Sequence, residues 1–281
     1  MVGNMAFPCY FIKGERTALV DAGVTALAPL IREEFSAPER QLNYVLLTHS
    51  HFDHVGCLGI IRKQSPRVIL VGSLETANIL AKPKVHEFVL DMSRGQEKIL
   101  GVEEEIPLEL EDLKVDMVLG EGETIDLGGV LTIEVHLTPG HTRDSVSYLL
   151  KPDGVLFAGE SLGTYISADE AGPEFTSSYP EYIDSLRKIQ KMAPNAIALP
   201  HQGVLTGPDA LRHIENAIRD AETFHHDVEK MADSGRSPQE IVAEMFPRLR
   251  KGPAAMEPER SFRINLESMV RVILKEREQA R

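Results

Sequence analysis

Short, densely apolar runs alternate with longer stretches in which apolar residues recur every three or four positions. Cys9 to Ile12 and Ala18 to Val20 are two such runs, and Lys13-Gly14-Glu15-Arg16 between them reads as a hairpin turn. Asp21-Ala22-Gly23 ends the second run, and Ala26 to Phe35 has helical spacing. Tyr44 to Leu47 is continuously apolar, as in a strand buried on both faces, and it leads directly into Thr48-His49. Gly56 to Lys63 predicts a helix and Arg67 to Val71 a second buried strand, with Ser73 as the N-cap of a helix through Leu80. Lys82 to Lys114 has mixed signals and fits either a helical insertion or a lid. Strands are expected near Val115–Leu119 and over Leu131–Leu137. Ser145–Leu150 and Val155–Ala158, joined by Lys151-Pro152-Asp153-Gly154, predict a hairpin. Tyr182 to Met192 predicts a helix, and Ala196 to Leu199 a short strand ending at Pro200-His201. After Gly207-Pro208 only helical spacing remains, over Asp209–Met231, Pro238–Met245 and roughly Glu259–Glu276.

Strands that are paired in hairpins in some places and separated by helices in others predict an α/β sandwich. A chain of 281 residues, 42% of them apolar, is long enough for one large domain with a small appendage. The change of character places the division near residue 206, with 1–206 as the main domain and 207–281 as a C-terminal helical appendage that shapes a pocket. A loop within that appendage, Arg248 to Pro258, has Arg248, Arg250, Lys251 and nearby Arg260, and is either a solvated linker or an anion-binding loop. The net charge of −13 disfavours general nucleic-acid binding, because such a chain repels polyanions. Two cysteines, Cys9 and Cys57, make no disulfide scaffold, and a reducing cytoplasm is the simplest compartment. No stretch approaches the ~20 apolar residues that span a bilayer, and the first residues lack a signal-peptide pattern, so no membrane association is expected.

The chemistry is concentrated in His49-Ser50-His51-Phe52-Asp53-His54, where three imidazoles and a carboxylate fall within six residues at the end of a buried strand. His49 and His51 alternate and can face one way while the chain is extended, and Asp53 and His54 can then serve a second position at the turn. Further donors sit at other expected strand ends, in Gly140-His141-Thr142, Gly159-Glu160 and Pro200-His201. Neutral imidazole and carboxylate suit zinc and other divalent transition metals, and together these residues supply the donors of a two-metal centre.

The ordered array His-x-His-x-Asp-His, Gly-His-Thr, Phe-Ala-Gly-acid and a late His resembles the metallo-β-lactamase superfamily over roughly residues 9 to 203, including Val20-Asp21-Ala22-Gly23. The resemblance implies a four-layer αβ/βα sandwich with its site at one edge of two sheets. It implies that His49, His51 and His141 hold one metal, that Asp53, His54 and His201 hold the other, and that Glu160 lies at the bridge, where the family usually has Asp. Zinc is the default ion, with iron or manganese as alternatives. No cysteine stands at a ligand position, which argues against the β-lactamase branches that use one. Cys57 is either near the metals or simply packed. His86, His136, His213, His225 and His226 match no family ligand position. Arg143 either receives a substrate anion or pairs with Asp144, and Tyr165 and Tyr179 either line the pocket or pack beside it.

The expected chemistry is hydrolysis by a hydroxide shared between two metal ions, with Asp53 orienting it as the catalytic residue. A carboxylic ester, thioester or lactone is the first expectation for the small-molecule substrate, similar to the glyoxalase II-like branch, although no glutathione-binding pattern is recognisable. The alternatives are a phosphodiesterase or ribonuclease of the same fold, a low-turnover metal-containing ligand-binding or regulatory protein, and a mononuclear iron oxygenase. A homodimer is compatible with everything above.

Overall fold

The computed structural model describes residues 2–3, 7–37, 40–102 and 106–279. The strands are β1 Val2–Gly3, β2 Pro8–Lys13, β3 Thr17–Val20, β4 Tyr44–Leu46, β5 Ile69–Gly72, β6 Met117–Val118, β7 Thr124–Gly128, β8 Leu131–Leu137, β9 Val146–Lys151, β10 Val155–Phe157, β11 Thr164–Ser167, β12 Glu170–Gly172, β13 Ala196–Ala198 and β14 Val204–Thr206. The helices are α1 Ala28–Glu34, α2 Phe52–Val55, α3 Leu58–Gln64, α4 Leu74–Leu80, α5 Pro83–Leu100, α6 Tyr179–Met192, α7 Pro208–Asp233, α8 Pro238–Leu249 and α9 Glu259–Gln279.

Two six-stranded sheets form, ordered β1-β2-β3-β4-β5-β6 and β14-β13-β10-β9-β8-β7, with β11 and β12 as a separate small ribbon. Alternation along the strands explains how the sheets stack. Ala18 and Val20 on β3 and Tyr44 and Leu46 on β4 face the second sheet, where they meet Ile133, Val135, Tyr148, Leu150 and Phe157. The intervening Leu19 and Val45, with Leu70 of β5, face outward onto Ile31, Leu58, Ile61 and Val89 of the helices covering the first sheet. Leu149, Leu156 and Ile197 of the second sheet face α6 to α9. Successive side chains of a strand point to opposite faces, so each sheet is apolar on both sides and needs two covers. The result is helix, sheet, sheet, helix, the expected four-layer sandwich.

The helices after residue 207 share one apolar cluster with the second sheet, in which Leu156 and Ile197 pack with Ile214, Phe224, Ile241 and Ile273. The buried apolar positions of α7, Ala210, Ile214, Ala217, Ala221, Phe224, Val228 and Met231, alternate in steps of four and three. The segment from 82 to 114 contains a real helix, α5, which packs against α2 and the turn Thr25–Leu27, and a 3-10 turn at Leu110–Leu113. No helix among the described residues is long and apolar enough to cross a membrane.

Candidate metal centre

The strand directions bring the donors to one edge. β8 and β10 both run antiparallel to β9, and β10 runs parallel to β13, so β8, β10 and β13 point the same way. His141, Glu160 and His201 follow their C-terminal ends, and His49 follows that of β4. Hydrogen bonds between the sheets brace these exits. Tyr148 Oη donates to Leu47 O at 2.8 Å, and Val146 N to Thr48 O at 2.8 Å. Tyr10 Oη donates to Leu199 O at 2.6 Å and Gly203 O at 2.9 Å, fixing both sides of the His201 turn.

Two of the candidate donors, His141 and Glu160, are each preceded by a glycine that no other residue could replace. Gly140 has φ +132, and a Cβ there would lie 2.3 Å from Tyr182 Cα. Gly159 has φ +51, and a Cβ there would lie 2.8 Å from Thr48 Cβ. Close approach and left-handed backbone both demand glycine, so the chain can turn His141 and Glu160 inward.

Two groups of donor atoms result, His49-His51-His141-Glu160 and Asp53-His54-Glu160-His201, with every atom of a group within 4.8 Å of the others. Glu160 belongs to both. Its Oε2 lies 2.6 Å from His141 Nε2 and 3.1 Å from His49 Nε2, and its Oε1 lies 3.1 Å from His201 Nε2. Asp53 Oδ2 lies 3.7 Å from both His54 Nε2 and His201 Nε2. His49 Nε2, His54 Nε2 and Glu160 Oε2 are buried without a hydrogen-bond partner among the described residues. Buried polar atoms left this way are costly unless something else satisfies them. A convergent, unsatisfied set of imidazole nitrogens and carboxylates fits divalent metal.

The opposite ring nitrogens are already engaged. His54 Nδ1 faces Asp21 Oδ2 at 2.8 Å, His141 Nδ1 faces Glu174 O at 2.9 Å, and His49 Nδ1 faces Thr48 Oγ1 at 3.1 Å. Protonating Nδ1 leaves the Nε2 lone pair free to bind a cation. Asp21 also accepts from Thr48 N at 2.8 Å and Thr48 Oγ1 at 2.9 Å, and it adopts φ +59, a strained conformation for a residue with a side chain.

The electrostatics reflect crowding. Burial, then the charges of His54 and His51, push His49 well below its ordinary value. Burial would also lower His54 and His141, but carboxylates outweigh it. Asp21 and Asp53 bring His54 up to about 10, and Glu160 brings His141 up to about 9. Burial alone would raise Glu160, yet the surrounding histidines, His141 first, hold it well below the carboxylate range.

The other residues singled out in the sequence lie outside these donor groups. Arg143 is exposed, while its neighbour Asp144 is buried with both carboxylate oxygens lacking a hydrogen-bond partner among the described residues, and the two form no ion pair. Tyr165 packs on the core with its ring 5.8 Å from that of His213. Tyr179 stacks on His225 at 4.0 Å. Cys57 is a packed residue, and its thiol donates to Val24 O. Arg248 pairs with Asp227 at 2.7 Å and Lys251 with Glu170 at 2.6 Å, and Arg250 donates to the carbonyls of Ala255 and Glu257. These three cations are each engaged within the chain, and Arg260 is exposed. Two acidic residues went unnoticed in the sequence. Glu174 is raised by burial and by Glu160. Glu257 is pushed up to about 8 by burial and by Glu174, Glu160 and Asp53, which places its carboxyl in the field of the donor cluster. Nothing in their local sequence marks either one.

Similarity to known proteins follows the same lines. The chain is 28% identical over 228 residues to the metallo-β-lactamase fold-containing protein ST1585 of Sulfurisphaera tokodaii, covering 77% of this chain and 82% of that protein. It is 30% identical over 177 residues to a hydroxyacylglutathione hydrolase of Bradyrhizobium sp., covering 63% of this chain but only 53% of that enzyme. Among solved structures, the metallo-β-lactamase family protein TTHA1429 from Thermus thermophilus superposes with a TM-score of 0.65 at 20% identity, over 96% of this chain and 88% of its own. The profile of the metallo-β-lactamase superfamily matches residues 8–201, a span that opens at β2 and closes on the last donor, His201. With the fold, the order of the donors and this match in agreement, the chain belongs to the metallo-β-lactamase superfamily.

Proposed function

We propose that this protein is a dinuclear metal-dependent hydrolase of a carboxylic ester, thioester or lactone. The observation that carries the reading is Glu160, one carboxylate shared by two complete donor groups. His49, His51 and His141 would hold one ion, Asp53, His54 and His201 the other, with zinc as the proposed metal. When bound, such ions supply Lewis acidity and a water acidic enough to be deprotonated near neutral pH. The chain's own residues do the rest. Glu160, whose Oε2 lies by His49 and His141 and whose Oε1 lies by His201, would be shared by the two groups and would offset the repulsion between two cations. The Asp53 carboxylate is only partly buried, and in this reading it would orient the attacking water and accept its proton. Asp21, Glu174 O and Thr48 keep the imidazoles in their binding tautomer.

The likeness to hydroxyacylglutathione hydrolase supports thioesters within this class, over about half the length of that enzyme. The net charge of −13 weighs against polyanionic phosphodiesters. The test is metal analysis followed by a panel of ester, thioester, lactone and phosphodiester substrates on metal-loaded protein and Asp53→Ala. Close to two ions per chain and carbonyl-substrate turnover lost in the variant are expected. Turnover of phosphodiesters alone, or none above the Asp53→Ala background, would overturn the reading.

A further inference from the structure

β8 ends at Leu137, and the chain reaches His141 through a largely buried stretch that is neither strand nor helix. Buried backbone outside regular structure still has to satisfy its carbonyls. Here side-chain hydroxyls do so, one residue after another. Ser161 Oγ donates to Thr138 O at 3.2 Å, Ser185 Oγ to Pro139 O at 2.7 Å, Ser177 Oγ to Gly140 O at 2.9 Å and Thr176 Oγ1 to His141 O at 2.6 Å. Backbone groups reinforce the last two, with Ser177 N donating to Gly140 O at 3.2 Å and Thr176 N to His141 O at 3.0 Å.

His141 is thus gripped twice by one segment. Its Nδ1 faces Glu174 O at 2.9 Å, while its own carbonyl takes both donors of Thr176. The segment is itself fixed at both ends. Thr164 Oγ1 donates to the Glu174 carboxylate, and Ser178 caps α6 by accepting from Glu181 N. Gly140, at φ +132, lets the chain turn but lends it no stiffness. A carbonyl with both lone pairs engaged resists rotation of its peptide, so the hydroxyls supply the stiffness that the glycine lacks. The direction of the His141 side chain is then set before anything binds to it.

Resting on the dinuclear reading above, we propose that Thr176 is a positioning residue for His141 and, through it, for the ion assigned to His49, His51 and His141. Thr176 belongs to neither donor group and acts only by holding the backbone from which the imidazole projects. Asp53, His54 and His201 take no part in this row of hydroxyls, so its effect is confined to one of the two ions.

The experiment measures zinc affinity of the full-length protein by competition with a chromogenic chelator. Thr176→Val and Thr176→Ser are each made in Asp53→Ala and in His51→Ala, backgrounds that disable one donor group apiece. Valine keeps the shape and the backbone N–H and removes the hydroxyl alone. Thr176→Val is expected to weaken the ion remaining in Asp53→Ala about tenfold and to leave the ion remaining in His51→Ala unchanged. Thr176→Ser is expected to restore the affinity. Equal weakening of both ions, weakening of neither, or a loss that serine fails to restore overturns the proposal. Thr176→Ala repeats the comparison if the valine variant does not fold, and failure of both to fold makes Thr176 a structural residue and overturns the proposal as well. Binding is read here without turnover. Two bound ions with no substrate hydrolysed would sink the hydrolase reading alone, and the same titrations would still decide the role of Thr176. A native protein that binds no zinc overturns both.

Discussion

Asp21 does three jobs from one carboxylate, binding Thr48 N, Thr48 Oγ1 and His54 Nδ1. It holds the His54 imidazole of the donor cluster without belonging to either donor group itself. Asp21→Ala is expected to lower metal affinity about 10- to 100-fold, measured by competition with a chromogenic chelator. Retained affinity would show that His54 needs no such support. Protonation provides a second check. In the metal-free protein His54 and His141 bind protons more tightly than the ordinary 6.5, reaching about 10 and about 9. A raised folded value adds stability that is fully present below about pH 6.5 and is lost as pH rises through 9 to 10. The melting temperature of chelator-treated protein should therefore fall across that range, and metal-loaded protein should show less of the fall, because the ion replaces the protons. A metal-free protein that gains stability from pH 7 to 10 would contradict this. The seven proposed ligands were legible because each sits at the end of an apolar run, in an order that random polar clusters do not reproduce. Glu174 and Glu257 were not, since a lone acid acquires its meaning only from what folds against it.

At the scale of elements, strands with an apolar run such as Tyr44–Leu47 or a long alternation such as Leu131–Leu137 were readable, and several short, sparsely apolar ones were not. β7 carries only Ile125 and Leu127 as buried anchors, β14 is a three-residue edge strand, and the ribbon β11–β12 reads as a polar loop. Short strands owe their existence to a neighbour, and the neighbour is invisible in the segment's own pattern. Helix starts moved for local reasons. α6 begins at Tyr179, three residues before the apolar spacing becomes visible, because Ser178 caps it by accepting from Glu181 N and Pro180 favours a first turn. The predicted Gly56–Lys63 helix is α3 at Leu58–Gln64, preceded by the short α2 that carries Asp53 and His54. The glycine before His141 allows an element-scale prediction. Gly140→Ala would press a methyl group into the backbone of α6 at Tyr182, and should destabilise the fold by about 3 kcal/mol in chemical denaturation while weakening metal binding. Unchanged stability would mean that α6 can shift without cost.

For the whole molecule, the division near residue 206 marks a change in secondary structure, while the packing runs straight across it. Leu149, Leu156 and Ile197 of the second sheet are buried by Ile214, Phe224, Ile241 and Ile273. A chain ended after Thr206 would leave one face of that sheet in water, and is expected to be insoluble or to lose cooperative melting. A soluble fragment with a sharp transition would establish 1–206 as an independent unit. The separation of the donors along the chain has one more consequence. His51 meets His141 across 90 positions, and Glu160 meets His201 across 41. Ions gripping such residues act as cross-links, removing freedom from the unfolded chain as a long-loop disulfide does. Chelation should then leave the midpoint of unfolding markedly lower and the unfolding rate higher across the whole fold, with hydrogen exchange accelerating in strands as distant as β7 and β14. The metals would be fasteners of the two sheets as well as reagents.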